Sequence, residues 1–271
     1  MQFFKLQQGI GLIVDSKVIG ISGYSGGIGS TAEYSKKIVK INSRLEDALE
    51  SIAQEFVDKN ITQYIHLAAI TDTKWCNDNP EDSMLFNAEY AKKFYLAAKT
   101  AKVKRFIFVS TAHVYKPSAP SPFDTDTTLD PFSIYGKSKL LAETQLLDVE
   151  TLNTKLSIAR VFSTIGKEAR CYSLYQGLQS RAKNKDFSSI AGLDNIRDFL
   201  WTSEVMSELI RLANSSDFPN LLNICSGKGQ TIRKIAEEVF ASYGLEKSVD
   251  QISSLDDNSP HQIIGIPTKF K

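Results

Sequence analysis

Short apolar runs alternate along the chain with longer segments whose apolar residues recur at three- and four-residue spacing. The first pattern is typical of buried strands and the second of amphipathic helices. Candidate strands cover residues 17–22, 38–42, 62–69, 105–110, 156–162 and 221–225, and candidate helices cover 45–58, 83–102, 135–150, 203–215 and 231–243. This alternation predicts βαβ units and therefore an α/β fold built on a parallel sheet.

Composition narrows the class of protein further. The 271 residues suffice for one large domain, or for a domain with a smaller lobe, and a formal net charge of +1 gives no basic excess for binding nucleic acid. The chain has neither a signal-peptide pattern nor an apolar run of about 18 residues, so we expect a cytoplasmic protein with no membrane partner. Three cysteines (Cys76, Cys171, Cys225) and three histidines are scattered, which predicts neither disulfides nor a metal site. Residues 1–16 would allow a hairpin around Gln8-Gly9, to which we attach no function.

A glycine-rich stretch, Ser22-Gly-Tyr-Ser-Gly-Gly-Ile-Gly-Ser30, follows the first candidate strand. Gly23, Gly26 and Gly29 have the spacing GxxGxxG, and we expect a helix after them. Glycines in this context let the backbone turn sharply and approach a pyrophosphate, whose charge is met by free N–H groups at the start of the helix. The spacing alone leaves a second interpretation open, a tight surface turn without a ligand.

The segment after the glycines is shorter than in common dinucleotide-binding folds. Residues 34–37 end the expected helix early, and the strand 38–42 follows at once. If this is the second strand, the absence of an acid and the presence of Arg44 favour a 2′-phosphate and hence NADP. If the second strand has been deleted and 38–42 is the third, that inference fails, and the choice between NAD and NADP stays open.

Tyr135 and Lys139 lie four residues apart, so the phenol and the ammonium share one face of a predicted helix. A nearby ammonium and the positive nicotinamide ring would lower the pKa of the phenol from about 10, and Tyr135 could then act as a general acid or base. Two other pairs with this spacing, Tyr95/Lys99 and Tyr243/Lys247, fit ordinary amphipathic helices. Only Tyr135 follows a strand that ends in hydroxyls, where parallel sheets place their sites, and Thr111 could bond the same substrate oxygen.

Further short motifs occur in a fixed order along the chain. They are Gly23-x-x-Gly26-x-x-Gly29, His66-Leu-Ala-Ala69, Asn87, Val109-Ser-Thr-Ala-His-Val-Tyr115, Tyr135-x-x-x-Lys139, Arg160-Val-Phe, Arg197-Asp-Phe-Leu and Asn223-Ile-Cys-Ser-Gly227. With this series, from about residue 17 to 245, the sequence resembles the extended short-chain dehydrogenase/reductase family, the NAD(P)-dependent epimerases, dehydratases and reductases of nucleotide sugars. The resemblance favours the phosphate-binding interpretation of the glycine stretch.

The resemblance also implies a fold. We expect a Rossmann-like, doubly wound parallel sheet with helices on both faces and a small C-terminal substrate lobe. Residues 1–165, with 196–226 returning to them, would form the NAD(P)-binding domain, and residues 166–195 and 227–271 would form the substrate-binding lobe. Members of the family often dimerise through a four-helix bundle that includes the helix of the catalytic tyrosine, so a homodimer is expected.

The residues that match the family's functional positions form three groups. The catalytic group is Thr111, Tyr135 and Lys139. The cofactor-binding group is Gly23, Ser25, Gly26, Gly27, Ile28, Gly29, Asn42, Arg44, Leu67, Ala68, Ala69 and Ser110, together with Tyr135 and Lys139. The substrate-binding group is Thr71, Asn87, Ala112, His113, Ser163 and Arg197. Arg197 would grip the diphosphate of a sugar nucleotide with its forked donors, the alternative being a surface ion pair with Asp194 or Asp198.

Departures from the family pattern narrow the expected activity. Family dehydratases usually carry an Asp-Glu pair after the catalytic hydroxyl, whereas this chain has Ala112-His113, so dehydration is disfavoured. His113 could contact a sugar hydroxyl, take part in proton transfer or be a spectator, and Ser163 stands where many epimerases have Asn. We expect an NAD- or NADP-dependent oxidoreductase that reduces a nucleotide-linked keto sugar, of the kind used in polysaccharide biosynthesis. The alternatives are an epimerase with a retained cofactor and a non-catalytic dinucleotide sensor.

Overall fold

A computed structural model describes residues 17–150, 153–166, 174–256 and 259–271. The hairpin suggested for residues 1–16, and Cys171, lie outside these described residues. The strands are β1 (Ile19–Ser22), β2 (Ile38–Lys40), β3 (Gln63–His66), β4 (Arg105–Thr111), β5 (Lys155–Val161), β6 (Ser163–Ile165), β7 (Ile190–Ala191), β8 (Ile196–Trp201), β9 (Leu221–Ile224), β10 (Gly229–Thr231), β11 (Ser254–Leu255) and β12 (Gln262–Ile263).

Six of these strands form the central sheet. Its order is β2-β1-β3-β4-β5-β9, and every neighbouring pair is parallel. All six coincide with the strands predicted from the apolar runs. Five of them are buried over most of their length, and the edge strand β2 is only partly buried. The predicted Rossmann-like parallel sheet is confirmed.

Helices cover both faces of the central sheet, as predicted. They are α1 (Leu49–Asp58), α2 (Thr73–Asp78), α3 (Pro80–Met84), α4 (Tyr90–Thr100), α5 (Ile134–Leu147), α6 (Leu174–Asn184), α7 (Thr202–Asn214) and α8 (Ile232–Ala241), with a π-helical turn at Leu85–Glu89 joining α3 to α4. On one face α1, α4 and α5 bury Phe56, Phe94 and Leu146. On the other face α7 buries Met206 and Leu209. No helix in the described part of the chain is both long enough and apolar enough to cross a membrane.

The connection from β1 to β2 differs from the prediction. No α-helix follows the glycines, and only a 3-10 turn, Gly29–Thr31, is formed. Tyr34 packs against this turn, where its hydroxyl donates a hydrogen bond of 2.8 Å to the Gly29 carbonyl. Strand β2 starts four residues later. Tyr34 and Ile38 pack against the sheet face that a longer crossover helix would cover.

Strand β2 pairs directly with β1, and Lys40 lies level with Ile21. Strand β2 therefore lies beside β1 in the sheet. Helix α1, which follows β2 in the sequence, packs on the same face of the sheet as α4. The residues near a ligand on the glycine loop are those of the strand that lies beside β1 in the sheet. The residues that follow β2, among them Asn42 and Arg44, accordingly stand at the sheet edge beside that loop.

The remaining strands form a smaller unit beside the carboxyl end of the central sheet. Strands β6, β10 and β12 all pair with β8, and β7 pairs with β11. Helices α6 and α8 cover this unit with Leu178, Ile235 and Phe240. Strand β8 belongs to the small sheet, whereas α7 and β9 return to the large one. A substrate-binding role for this lobe, with the boundaries given above, stays a prediction.

Candidate active site

The glycine loop between β1 and β2 is shaped by close backbone contacts. Gly23 has φ +66°, and a Cβ on it would lie 2.7 Å from the Ala68 nitrogen; a Cβ on Gly29 would lie 2.4 Å from the Gly23 oxygen. The protein's own packing therefore requires glycine at both positions. A Cβ on Gly26 would meet only the Gly23 oxygen, at 3.2 Å, so its remaining surroundings leave room for a ligand to approach.

The same loop presents hydrogen-bond donors. The Gly26 N–H donates to the Gly23 carbonyl and the Ser30 N–H to the Gly26 carbonyl, both at 2.9 Å. None of the hydrogen bonds among the described residues uses the N–H groups of Gly27 and Ile28. Two successive N–H groups without acceptors, next to a glycine with open surroundings, suit a diphosphate. Ser25 lies exposed in the same loop.

The loop after β3 runs close to the glycine loop. Leu67, Ala68 and Ala69 are half-buried there, and the Ala68 N–H donates to the Ser22 hydroxyl at 3.4 Å. These residues thus lie where a ligand on the glycine loop would meet them. Thr71, further along, is exposed.

The buried amide of Asn87 fixes this loop rather than facing a cavity. Its oxygen accepts the Ile70 N–H at 2.8 Å, and its nitrogen donates to the Ile70 carbonyl at 2.9 Å and to the Ser138 hydroxyl at 3.0 Å. These bonds tie the loop after β3 to helix α5. In the protein alone the Asn87 side chain therefore positions this loop, and the substrate contact expected from the sequence stays a prediction.

Helix α5 brings Tyr135 to the end of β4, where the side chain of Thr111 is close enough to act on the pKa of the phenol. The approach depends on Gly136, on which a Cβ would lie 2.4 Å from the His113 carbonyl oxygen. Ser133 caps the helix, because its hydroxyl accepts the Gly136 N–H at 3.1 Å. Gly136 and Ser133 thus allow the start of α5 to approach the end of β4, which brings Tyr135 near Thr111.

Burial raises the pKa of Tyr135 to about 12, and the nearby side chain of Thr111 opposes that rise. The lowering by the Lys139 ammonium, expected from the sequence, is not seen in the protein alone. The ammonium instead lies 4.0 Å above the centre of the Phe108 ring. Tyr135 is therefore protonated at neutral pH.

Lys139 is almost fully buried, and burial lowers its pKa to about 7, with the charge of Glu143 acting in the opposite direction. The Glu143 carboxylate is already engaged, since it pairs with Arg160 at 2.7 Å and accepts a hydrogen bond from Ser110. No hydrogen bond or ion pair within the described residues uses the Lys139 ammonium. Its three donors are available to a ligand.

The pair of Glu143 and Arg160 belongs to a buried polar network that sequence reasoning missed. The network continues to Tyr115, whose ring lies 4.9 Å from the guanidinium and whose hydroxyl donates to Asn223 at 2.6 Å. The hydroxyl of Ser110, expected at the cofactor, is committed to this network. Glu143 lies four residues beyond Lys139 on the same face of α5, and that spacing could have indicated it.

His113 lies beside the tyrosine. Its ring centre is 5.7 Å from that of Tyr135 and 6.1 Å from that of Phe132. Burial, and secondarily the charge of Arg197, lower the pKa of His113 to about 4. Its Nδ1 is buried and has no hydrogen-bond partner among the described residues. His113 is therefore a neutral imidazole at the edge of the site; Ala112 beside it is buried.

Arg197 leaves β8 near His113. Its guanidinium donates to the Ser259 hydroxyl and to the Ile196 carbonyl, both at 2.9 Å. The surface ion pair considered as an alternative is not found: Asp194 pairs with Arg233 at 2.7 Å, and the Asp198 carboxylate accepts backbone N–H groups of residues 226 and 227.

Some of the predicted site residues lie close together in the structure, and others do not. The glycine loop, Leu67–Ala69 and Thr111–His113 lie at the carboxyl ends of neighbouring parallel strands, and helix α5 carries Tyr135 and Lys139. The side chains of Asn87 and Ser110 form hydrogen bonds within the protein. Asn42, Arg44 and Thr71 are exposed, and Ser163 is half-buried in β6.

A parallel sheet with a glycine loop after its first strand is typical of dinucleotide-binding proteins. Residues 16–225 match the model of the NAD dependent epimerase/dehydratase family, and the chain belongs to that family.

Individual relatives are distant. The chain is 23% identical to the dTDP-4-dehydro-6-deoxyglucose reductase of Escherichia coli, over 76% of this chain and 66% of the relative. It spans between 40% and 75% of the first curated relatives that it matches.

Solved structures share the fold. RMD from Pseudomonas aeruginosa, complexed with NADPH, superposes with a TM-score of 0.76 at 22% identity, over 93% of this chain and 90% of that one. UDP-glucose 4-epimerase from Thermotoga maritima, with UDP-glucose, gives a TM-score of 0.80 at 18% identity, over 92% and 90%.

Proposed function

We propose that the protein is an NAD(P)-dependent oxidoreductase that reduces a keto group of a nucleotide-activated sugar. One observation carries the proposal. The neutral phenol of Tyr135 and the side chain of Thr111 lie together at the end of β4. The buried Lys139, one turn along the same helix, forms no hydrogen bond or ion pair with the described residues. A reduction needs such an acid at the carbonyl oxygen, whereas the oxidation that opens an epimerase cycle needs a base.

The cofactor fits the loop residues. The N–H groups of Gly27 and Ile28 would hold its diphosphate, the backbone at Ala68 and Ala69 would line it, and the Lys139 ammonium would bind ribose hydroxyls. When bound, the nicotinamide supplies the hydride.

The protein's own residues would manage the proton. Thr111 orients the carbonyl oxygen, and Tyr135 donates its proton to that oxygen. The resulting phenolate would be stabilised by the side chain of Thr111, which already acts to lower the pKa of Tyr135. His113, being neutral, would contact a sugar hydroxyl without adding charge.

Substrate binding would engage the small lobe. Arg197 is proposed to bind the diphosphate of the sugar nucleotide through its forked donors. Thr71, Ala112 and Ser163 would line the sugar, as the resemblance implies. Relatives support this class of substrate, since one is a reductase of a dTDP-linked keto sugar and one solved structure holds UDP-glucose.

The test is the nicotinamide absorbance in a panel of UDP-, dTDP- and GDP-linked 4-keto sugars. A reductase consumes one NAD(P)H per product, and the Tyr135→Phe variant does not. Conversion of a sugar nucleotide without net consumption would instead indicate an epimerase. Binding of the dinucleotide with no turnover of any sugar would indicate a sensor.

We also propose a homodimer, because members of the family that the sequence resembles often dimerise through the helix that corresponds to α5. Helix α5 supports it by exposing Leu147 (61% exposed) and Leu141 (36%) on the outside of the domain. The molar mass in solution, measured by light scattering, tests it. The cytoplasmic location stays a prediction.

A further inference from the structure

A buried histidine, His66, ends strand β3 and has no part in the chemistry proposed above. Its Nδ1 lies 3.3 Å from the Ser22 hydroxyl and 3.2 Å from the Tyr64 hydroxyl. Its Nε2 is also buried, but it has no hydrogen-bond partner among the described residues. Because buried polar atoms in proteins are nearly always hydrogen-bonded, the second nitrogen calls for a partner.

The imidazole and the Lys139 ammonium both lie against Phe108. His66 and Phe108 are level with each other in β3 and β4, and their ring centres are 6.1 Å apart. The Lys139 ammonium lies 4.0 Å above the centre of the same Phe108 ring. Phe94 and Phe106, whose rings also pack against His66, carry no charge. Lys139 is therefore the nearby cation for the imidazole.

The field of the lysine determines which nitrogen of His66 carries the proton. Burial, and secondarily the charge of Lys139, lower the pKa of His66 to about 3, so the ring is neutral and has one N–H and one bare nitrogen. The hydroxyls of Ser22 and Tyr64 can each accept a hydrogen bond from Nδ1. A proton on Nε2 would instead place the positive end of an N–H bond near the ammonium. The tautomer with Nε2 as an acceptor is therefore favoured.

The two unpartnered groups complement each other, since Lys139 has only donors and Nε2 is an acceptor. No direct hydrogen bond joins them. We propose that His66 is a positioning residue for Lys139, and that its Nε2 binds the ammonium through one bridging water molecule. Buried waters of this kind typically link polar groups that have no other partner. The inference rests on the proposed function, which places Lys139 at the cofactor ribose, and His66 would hold the lysine ready for it.

The remaining ionisable groups around the lysine keep their charge near neutral pH. Glu143 is ion-paired with Arg160. Burial raises the pKa of Tyr135 to about 12 and raises that of Tyr64 well above its ordinary value, so both phenols are neutral. A titration near pH 7 in this region therefore reports on Lys139 itself.

The experiment follows that titration by NMR, in protein labelled at the lysine ε-carbons, with Lys139→Met to assign the signal. His66→Asn places its amide at the level of Nδ1, where it can still meet Ser22 and Tyr64, but it does not extend to Nε2. His66→Gln extends to the level of Nε2. Gln63→Leu is the matched control, because Gln63 has a buried, unpartnered Oε1 on the same strand and faces the opposite side of the sheet. A thermal melt shows that each variant is folded.

Loss of the acceptor should destabilise the charged lysine. The midpoint for Lys139, about 7 in the wild type, should fall by about one pH unit in His66→Asn. It should stay close to the wild-type value in His66→Gln and in Gln63→Leu. Dissociation constants from nicotinamide fluorescence should show that His66→Asn weakens NADPH and NADH alike, by about three- to tenfold, because both carry the ribose that Lys139 would bind.

Two results would overturn the inference and leave the proposed function intact. One is an unchanged midpoint in His66→Asn. The other is an equal fall in His66→Asn and His66→Gln, which would show that the imidazole acts through packing and not through an acceptor at Nε2. Failure of the wild type to bind either dinucleotide would instead overturn the proposed function, whereas the expected midpoints would still establish the link between His66 and Lys139.

Discussion

The buried lysine of the candidate site should reduce the stability of the protein. Burial lowers the pKa of Lys139 from its ordinary value of 10.5 to about 7, although Glu143 acts against the change. Keeping the ammonium buried at pH 7 then costs roughly 4 kcal/mol as an upper limit. Replacement by methionine, which has a similar length and no charge, should recover part of that cost.

The direction of the pH dependence follows from proton binding. The folded protein releases the Lys139 proton near pH 7, whereas the unfolded chain keeps it until about pH 10.5. Between these values the unfolded state binds more protons, so the wild type gains stability as the pH rises, and the full cost is present below pH 7. The advantage of Lys139→Met should therefore shrink by roughly 2 to 3 kcal/mol between pH 6 and pH 9.

Urea denaturation of the wild type and Lys139→Met at several pH values measures this effect. Lys137→Met is the matched control, because Lys137 is exposed on the same helix and should give no pH-dependent difference. The methionine variant should also lose activity, as expected where function costs stability. Equal or lower stability of Lys139→Met at pH 6, or a difference that does not change with pH, would refute the reasoning.

Three further substitutions test the site. Tyr135→Phe should lower the rate of reduction by about 10²- to 10⁴-fold while NADPH binding, followed by fluorescence, changes little. Gly136→Ala should destabilise the protein by about 1 to 3 kcal/mol in thermal melts, because its Cβ would meet a backbone carbonyl at 2.4 Å, whereas Gly177→Ala, with nothing within 4 Å, should not. Glu143→Gln should cost about 3 to 5 kcal/mol in urea denaturation, since it leaves Arg160 buried without a counter-charge.

Much of the fold could be predicted because buried strands and helices show a local pattern of apolar residues in the sequence. The six strands of the central sheet are apolar over most of their length, and the larger amphipathic helices carry a regular apolar stripe. Helix α6 was missed because it buries mainly Leu178 and Ala182 and so shows little periodicity. The prediction of a helix after the glycines was wrong: only the 3-10 turn Gly29–Thr31 is formed before β2 begins at Ile38. The hydrogen bond of Tyr34 to Gly29, which accompanies this turn, cannot be predicted from local helix propensity.

The candidate site was predictable where chemistry follows from residue type and spacing. Thr111 at the end of β4 and Tyr135 at the start of α5 lie close together, since strand ends and helix starts converge in a parallel α/β fold. Their catalytic role stays a prediction. The hydrogen-bond partners of a side chain cannot be predicted from residue type and spacing. Asn87 and Ser110 have the residue types of ligand-binding groups, but Ile70 and Glu143 occupy their side chains.

Whether Tyr135 enters the reaction as an acid is tested most directly by titrating its hydroxyl. Tyrosine labelled at the ring carbon next to the oxygen can be followed by NMR, with Tyr135→Phe to assign the resonance. The Tyr135 signal should keep its protonated chemical shift beyond about pH 10, where free tyrosine ionises. Ionisation near neutral pH in the protein alone would contradict the proposed acid and favour an oxidising, epimerase-type cycle.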